Sequence, residues 1–157
     1  MKRFFFAIAV VATLVVTLAV PVLGGGQASA TDGHDHGGCT PGFWKNNEDP
    51  WGPTGYSPSD SFEAVFGTAP DPFSGSPSLL DVLNLGGGGV NALSRHAVAA
   101  LLNASHPAIG YPLTPSVVIA KYQEALATGG FLIEVKKDLF EDFNESGCPI
   151  DAHGDPI

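Results

Sequence analysis

Val90-Asn91-Ala92-Leu93-Ser94-Arg95-His96-Ala97-Val98-Ala99-Ala100-Leu101-Leu102-Asn103-Ala104 decides the fold of this chain. No proline interrupts it. Asn91, Ser94 and Arg95 gather near its start, and its later turns are apolar nearly all round. A helix that is apolar on every side belongs at the centre of a bundle. Ala97, Ala99 and Ala100 let neighbouring elements approach it closely.

The flanking segments supply partners for that helix. Ser78 precedes Leu79-Leu80-Asp81-Val82-Leu83, a short helix stopped by Gly86 to Gly89. Thr114-Pro115 starts another, with a capping hydroxyl and a proline in the first turn. Val118, Ile119, Tyr122, Ala125 and Leu126 form its apolar stripe. Gly129-Gly130 ends it. The last helix runs from Phe131 to about Asn144. Its spacing predicts that Leu132, Val135, Leu139 and Phe143 are buried, with Phe140 at the edge. Glu134, Lys137, Asp138, Glu141 and Asp142 are expected to face water. No strand-like alternation competes in this half. The fold class is therefore mainly α, a small helical bundle.

The segment from Cys39 to Phe73 reads differently. Phe43, Trp44, Trp51, Tyr56, Phe62 and Phe66 are separated by Pro41, Pro50, Pro53 and Pro58. Long helices cannot run through that spacing. Ser59-Asp60 is expected to cap one short helix through Phe66, ended by Gly67. The rest is read as an irregular N-terminal wrap whose aromatics pack onto the helices.

Lys2 and Arg3, the apolar run from Phe4 to Leu23 and the small residues Ala28-Ser29-Ala30 read as a secretory signal peptide over residues 1–30. The run is also long enough to span a bilayer. Pro21 and Gly24-Gly25-Gly26 favour cleavage over anchoring, and no second apolar span follows. A flexible His/Gly/Asp leader is expected at 31–38, a disulfide-closed domain at 39–150 and a tail at 151–157. The whole chain has a formal charge of −9. Without Lys2 and Arg3 it becomes −11. Such a surface repels nucleic acid and anionic membranes.

Cys39 and Cys148 are the two cysteines of the chain. An even pair in an exported protein predicts a disulfide. It would close a loop of roughly 110 residues and contribute at most about 4–5 kcal/mol. The alternative, a pair of metal-binding thiolates, lacks partner ligands at any recognised spacing.

These pieces resemble a family of uncharacterised exported prokaryotic proteins. The likeness rests on a Cys-x-x-Gly-Phe-Trp-Lys box at Cys39 to Lys45, the Arg-His-Ala-Val-Ala-Ala-Leu-Leu-Asn-Ala run at Arg95 to Ala104, and the closing Gly147-Cys148-Pro149. It spans nearly all of the chain after the leader. It implies a secreted or surface-displayed module and carries no activity onto particular residues. Asn47 stands where a histidine is expected after the Trp-Lys pair, which argues against a metal in the box.

Three chemical readings compete. His34, Asp35 and His36, with Asp32 nearby, suit copper, zinc or nickel. Trp44, Arg95 and His96 are the candidate ligand site where wrap and central helix meet, with Asn103 two turns after His96. Arg95 over Trp44 or Trp51 would make a cation–π contact. Trp44, Trp51 and Tyr56 suit a sugar-stacking platform, or simply a wrapped core. His106 is expected to interact with carbonyls at a helix end. A hydrolase has little support: no Gly-x-Ser-x-Gly elbow or His-Glu-x-x-His helix is present. Gly86 to Gly89 lacks the following Lys-Ser/Thr of a phosphate loop. The expected function is a non-catalytic extracellular binding or structural module, with a protein or polysaccharide partner at the cell surface or in the matrix.

Overall fold

The computed structural model describes residues 36–67, 73 and 75–157. These all lie in one compact unit, Gly33–Ile157. The readings of a signal peptide and of most of the leader lie outside the described residues.

The fold is mainly helical, and the described residues form no strand, only isolated bridges. The helices are α1 (Pro41–Asn46), α2 (Phe62–Phe66), α3 (Leu79–Leu83), α4 (Val90–Ser105), α5 (Pro115–Thr128) and α6 (Phe131–Asn144), with a 3-10 segment at Asp49–Thr54. Local chemistry sets most of the ends. Thr40 accepts a hydrogen bond from the Phe43 N–H and places Pro41 in the first turn of α1. Ser78 and Asp81 form a reciprocal capping box on α3. Thr114 caps α5 in the expected way.

Helix α4 is the hub, and α1, the 3-10 segment, α3, α5 and α6 all pack on it. Ala97, Val98, Ala99, Ala100, Leu101 and Leu102 are all fully buried. The apolar circumference predicts this, because the helix has neighbours on every side. The small side chains of the three alanines let those neighbours come close.

The wrap is more regular than expected. Pro41 and Pro50 begin elements instead of breaking them, since a proline in a first turn loses no helical hydrogen bond. The cap of α2 is Ser61, not Ser59-Asp60, while Gly67 ends the helix at φ +72° as read. Phe62 stacks on Phe66 with ring centroids 4.6 Å apart, and both rings meet Tyr122 of α5 edge-on. The wrap thus joins the core through aromatic pairs.

Helix α6 departs most from the sequence reading. Phe140 is its fully buried apolar residue and Asn144 is buried beside it. Leu132, Val135, Leu139 and Phe143 are only partly buried. The inward face carries Ile133, Phe140 and Asn144, spaced at seven and four. A buried asparagine on this face hides the period from a count of apolar residues alone.

Cys39 and Cys148 are disulfide-bonded across a separation of 109 residues. Next to them, the Gly38 N–H donates to the Gly147 carbonyl at 2.9 Å. Gly37 and Gly38, which fall in the expected leader, are buried. A side chain on Gly38 would collide with the α6 backbone at Phe143 and Asn144. The segment 151–157 turns back on itself: Ile150 bridges Pro156, and the Ile157 N–H donates to the Pro149 carbonyl at 3.0 Å.

Candidate functional site

The polar centre of the molecule is a pair of buried asparagines. Asn103 Oδ1 accepts from the Cys39 backbone N–H at 2.9 Å and from the Trp44 indole N–H at 3.0 Å. Its Nδ2 donates to the Cys39 carbonyl and to Asn144 Oδ1, both at 2.9 Å. Asn144 Oδ1 also accepts from the Tyr111 hydroxyl at 2.9 Å. Its Nδ2 donates to the His96 carbonyl at 2.9 Å. Asn103 thereby fills its four hydrogen-bonding positions without water. One side chain holds the Cys39 end of the disulfide strap, α1 and α6 onto α4.

Trp44 belongs to this network and is 0 % exposed. Its ring meets Trp51 edge-on at 6.3 Å and lies 6.2 Å from the His106 ring. Trp51 donates its indole N–H to the Trp44 carbonyl at 3.0 Å and is also buried. The sugar-stacking platform is therefore ruled out for this pair. Stacking needs an accessible ring face, and both faces are enclosed by core.

Arg95 does not reach either tryptophan. Its guanidinium donates to the carbonyls of Leu85 at 2.8 Å and Gly87 at 3.0 Å. Arg95 precedes Asn103 by eight residues on α4, about 12 Å along a helix axis. The expected cation–π contact is absent because Arg95 lies at the far end of α4, where it ties down the glycine loop. That loop is held by its carbonyls, the reverse of a phosphate loop, which presents its N–H groups.

His96 lies on the α4–α6 contact and is 8 % exposed. Its Nε2 is 3.7 Å from Glu141 Oε1, a long ion-pair distance. Its Nδ1 is buried without a partner. Burial pushes the imidazole pKa down, against the opposing pull of Glu141. Glu141 also accepts from Lys137 Nζ at 2.7 Å. Glu141 is thus not the free, solvated carboxylate that the spacing suggested. A carboxylate–histidine pair is the arrangement that orients a general base. Here the second ring nitrogen, Nδ1, is buried, so His96 does not present that nitrogen to solvent as a base.

His106 caps α4 through its backbone N–H, which reaches the Leu102 and Asn103 carbonyls. Its ring does not serve those carbonyls as expected. Nδ1 accepts from the Ala108 N–H at 3.3 Å, so the neutral ring carries its proton on Nε2. That Nε2 is buried without a partner. It faces the turn at Gly154. On the surface, His153 Nδ1 lies 3.1 Å from Asp49 Oδ2, and this contact raises its pKa.

The structure gives the three candidate ligand residues different contacts. Trp44 is core, Arg95 is a loop clamp and His96 is an interhelical packing residue. His34 and Asp35 lie outside the described residues, and His36 is exposed. Among the described residues, no group of three or more His, Cys, Asp or Glu is arranged to hold a metal. No described helix is long and apolar enough to cross a membrane. Sequence reasoning missed Asn144 and Tyr111. The available signal was the register of Asn144 with Ile133 and Phe140. No family model, curated protein or solved structure matches this chain.

Proposed function

We propose that this protein is a secreted, non-catalytic binding or structural module that acts at the cell surface or in the matrix. The observation that carries the reading is the disulfide between Cys39 and Cys148, which ties the two ends of the helical domain together. Bonds of this kind persist in oxidising compartments. The apolar run and Ala28-Ser29-Ala30 site at the N-terminus agree with export, as does the resemblance carried by the Cys39–Lys45 box and Gly147-Cys148-Pro149. The use of the central polar side chains favours a binding module over an enzyme. Asn103, Asn144 and Arg95 are bonded to the protein's own backbone and side chains.

Native mass spectrometry of protein recovered from culture medium, without reductant or chelator, tests the reading. The expected species is disulfide-bonded and starts at Thr31. Protein retained inside cells with two free thiols would overturn export. A tightly held copper, zinc or nickel ion would move the function to the His34-Asp35-His36 leader.

A further inference from the structure

Helix α6 carries an apolar row that the core does not use. Phe131, Val135 and Leu139 follow one another at intervals of four, so they are neighbours on the helix surface. Phe131 is 83 % exposed. Val135 and Leu139 are partly exposed and stand outside the central hydrophobic cluster, which takes Ile133 and Phe140 from this helix. A second row runs beside the first: Glu134, Asp138 and Asp142, again at intervals of four and all exposed. Asp138 pairs with Lys137. Glu134 and Asp142 have no ion pair among the described residues.

The position of Asp142 is informative. It lies in the last turn of α6, which contains no basic residue. Glu145 follows at the C-cap and is also exposed. Anionic groups at the negative end of a helix dipole are disfavoured. Helix stability therefore does not account for them. A cation approaching that end would relieve both the dipole and the carboxylates.

We infer that the outer face of α6 docks a cationic amphipathic segment of a protein partner, with aliphatic side chains on the 131/135/139 row and Lys or Arg on the 134/138/142 row. An apolar row bordered by one sign of charge recognises the complementary amphipathic helix, and the charges favour that partner over an anionic polymer. The inference rests on the reading of the protein as a binding module and names its surface and partner class.

The probe is a synthetic 18-residue amphipathic peptide of leucine and lysine, followed by fluorescence anisotropy at low and physiological salt. Controls are a scrambled peptide of the same composition and a version with glutamate for lysine. Saturable one-to-one binding of the amphipathic peptide alone is expected. The Phe131→Ser/Leu139→Ser double variant should weaken it about tenfold or more. Asp138→Asn/Asp142→Asn should flatten its salt dependence. These side chains lie outside the core cluster, and circular dichroism checks that each variant is folded. Absence of binding, equal binding of the scrambled peptide or unchanged binding by the double variant would each overturn the inference. So would a concentration-dependent dimer abolished by the double variant, which would assign the face to a second copy. If protein from the medium keeps a stoichiometric partner after Phe131 and Leu139 are replaced, the surface assignment fails and the binding-module reading stands. If the protein proves intracellular with free thiols, the module reading fails whatever the peptide does.

Discussion

Asn103 connects three segments that are far apart in the chain: Cys39 and Trp44 in the wrap, and Asn144 in the last helix. Removing its amide leaves several buried donors and acceptors unpaired. Each such group costs roughly 1–3 kcal/mol. Asn103→Leu is therefore expected to lower stability by about 3 kcal/mol or more, measured by urea unfolding. A loss below about 1 kcal/mol would mean that water or repacking replaces the network. The two buried histidines give a pH signature. Burial is the leading cause that lowers both His96 and His106 from the ordinary 6.5. The unfolded chain then takes up each proton first. Their contribution is complete above pH 6.5 and is lost as pH falls below it. His153 is raised and acts in the opposite sense, but it is exposed and its pair is solvent-screened. Asp81, Glu124 and Asp151 are lowered from ordinary values near 4, so they act at more acid pH. The urea midpoint should therefore fall between about pH 6.5 and 5. It should fall less in a His96→Gln/His106→Gln variant. A midpoint that rises over this window would contradict the assignment.

At the scale of elements, α6 separates apolar composition from burial. Phe140 is fully buried in the core, so Phe140→Ala opens a cavity there and should cost about 3–5 kcal/mol. Leu139→Ala, one residue earlier, should cost about 1 kcal/mol or less, because its side chain remains partly in water. Paired denaturation curves of the two variants compare them directly. Equal losses would place the core face where apolar counting puts it. The helix starts obey simpler rules. Thr40, Ser61, Ser78 and Thr114 each accept a hydrogen bond from the first turn of their helix. These motifs need only a few neighbouring residues, and all of the last four helices stand where the sequence places them. Helix α1 escaped detection because six residues flanked by prolines resemble a loop.

At the scale of the molecule, the Cys39–Cys148 bond restrains the unfolded chain more than it shapes the folded one. Asn103 and the Gly38–Gly147 bridge already hold the same junction without it. Cys39→Ser/Cys148→Ser is expected to lose about 2–4 kcal/mol and to keep its helical circular dichroism at 25 °C. Loss of helicity in native buffer would show that the covalent strap is required for the bundle to form.

The sequence by itself determined the helical class, the central place of α4, several caps and the partnership of the two cysteines. These follow from local hydrogen-bond chemistry, from an apolar circumference and from pair counting. Only the tertiary structure decided what the polar and aromatic residues do. Trp44, Arg95, His96 and Asn103 read alike as a ligand site, because a sequence does not tell whether a polar group meets solvent or a distant backbone. Once folded, Trp44 and Asn103 close on the strap, Arg95 turns to the glycine loop and His96 is covered by α6. The same folding turns Phe140 and Asn144 inward and leaves Phe131 exposed and Val135 and Leu139 partly exposed. A helix rotates to bury the face that best fits its neighbours, and the shape and hydrogen bonds of those neighbours are set by residues up to a hundred positions away.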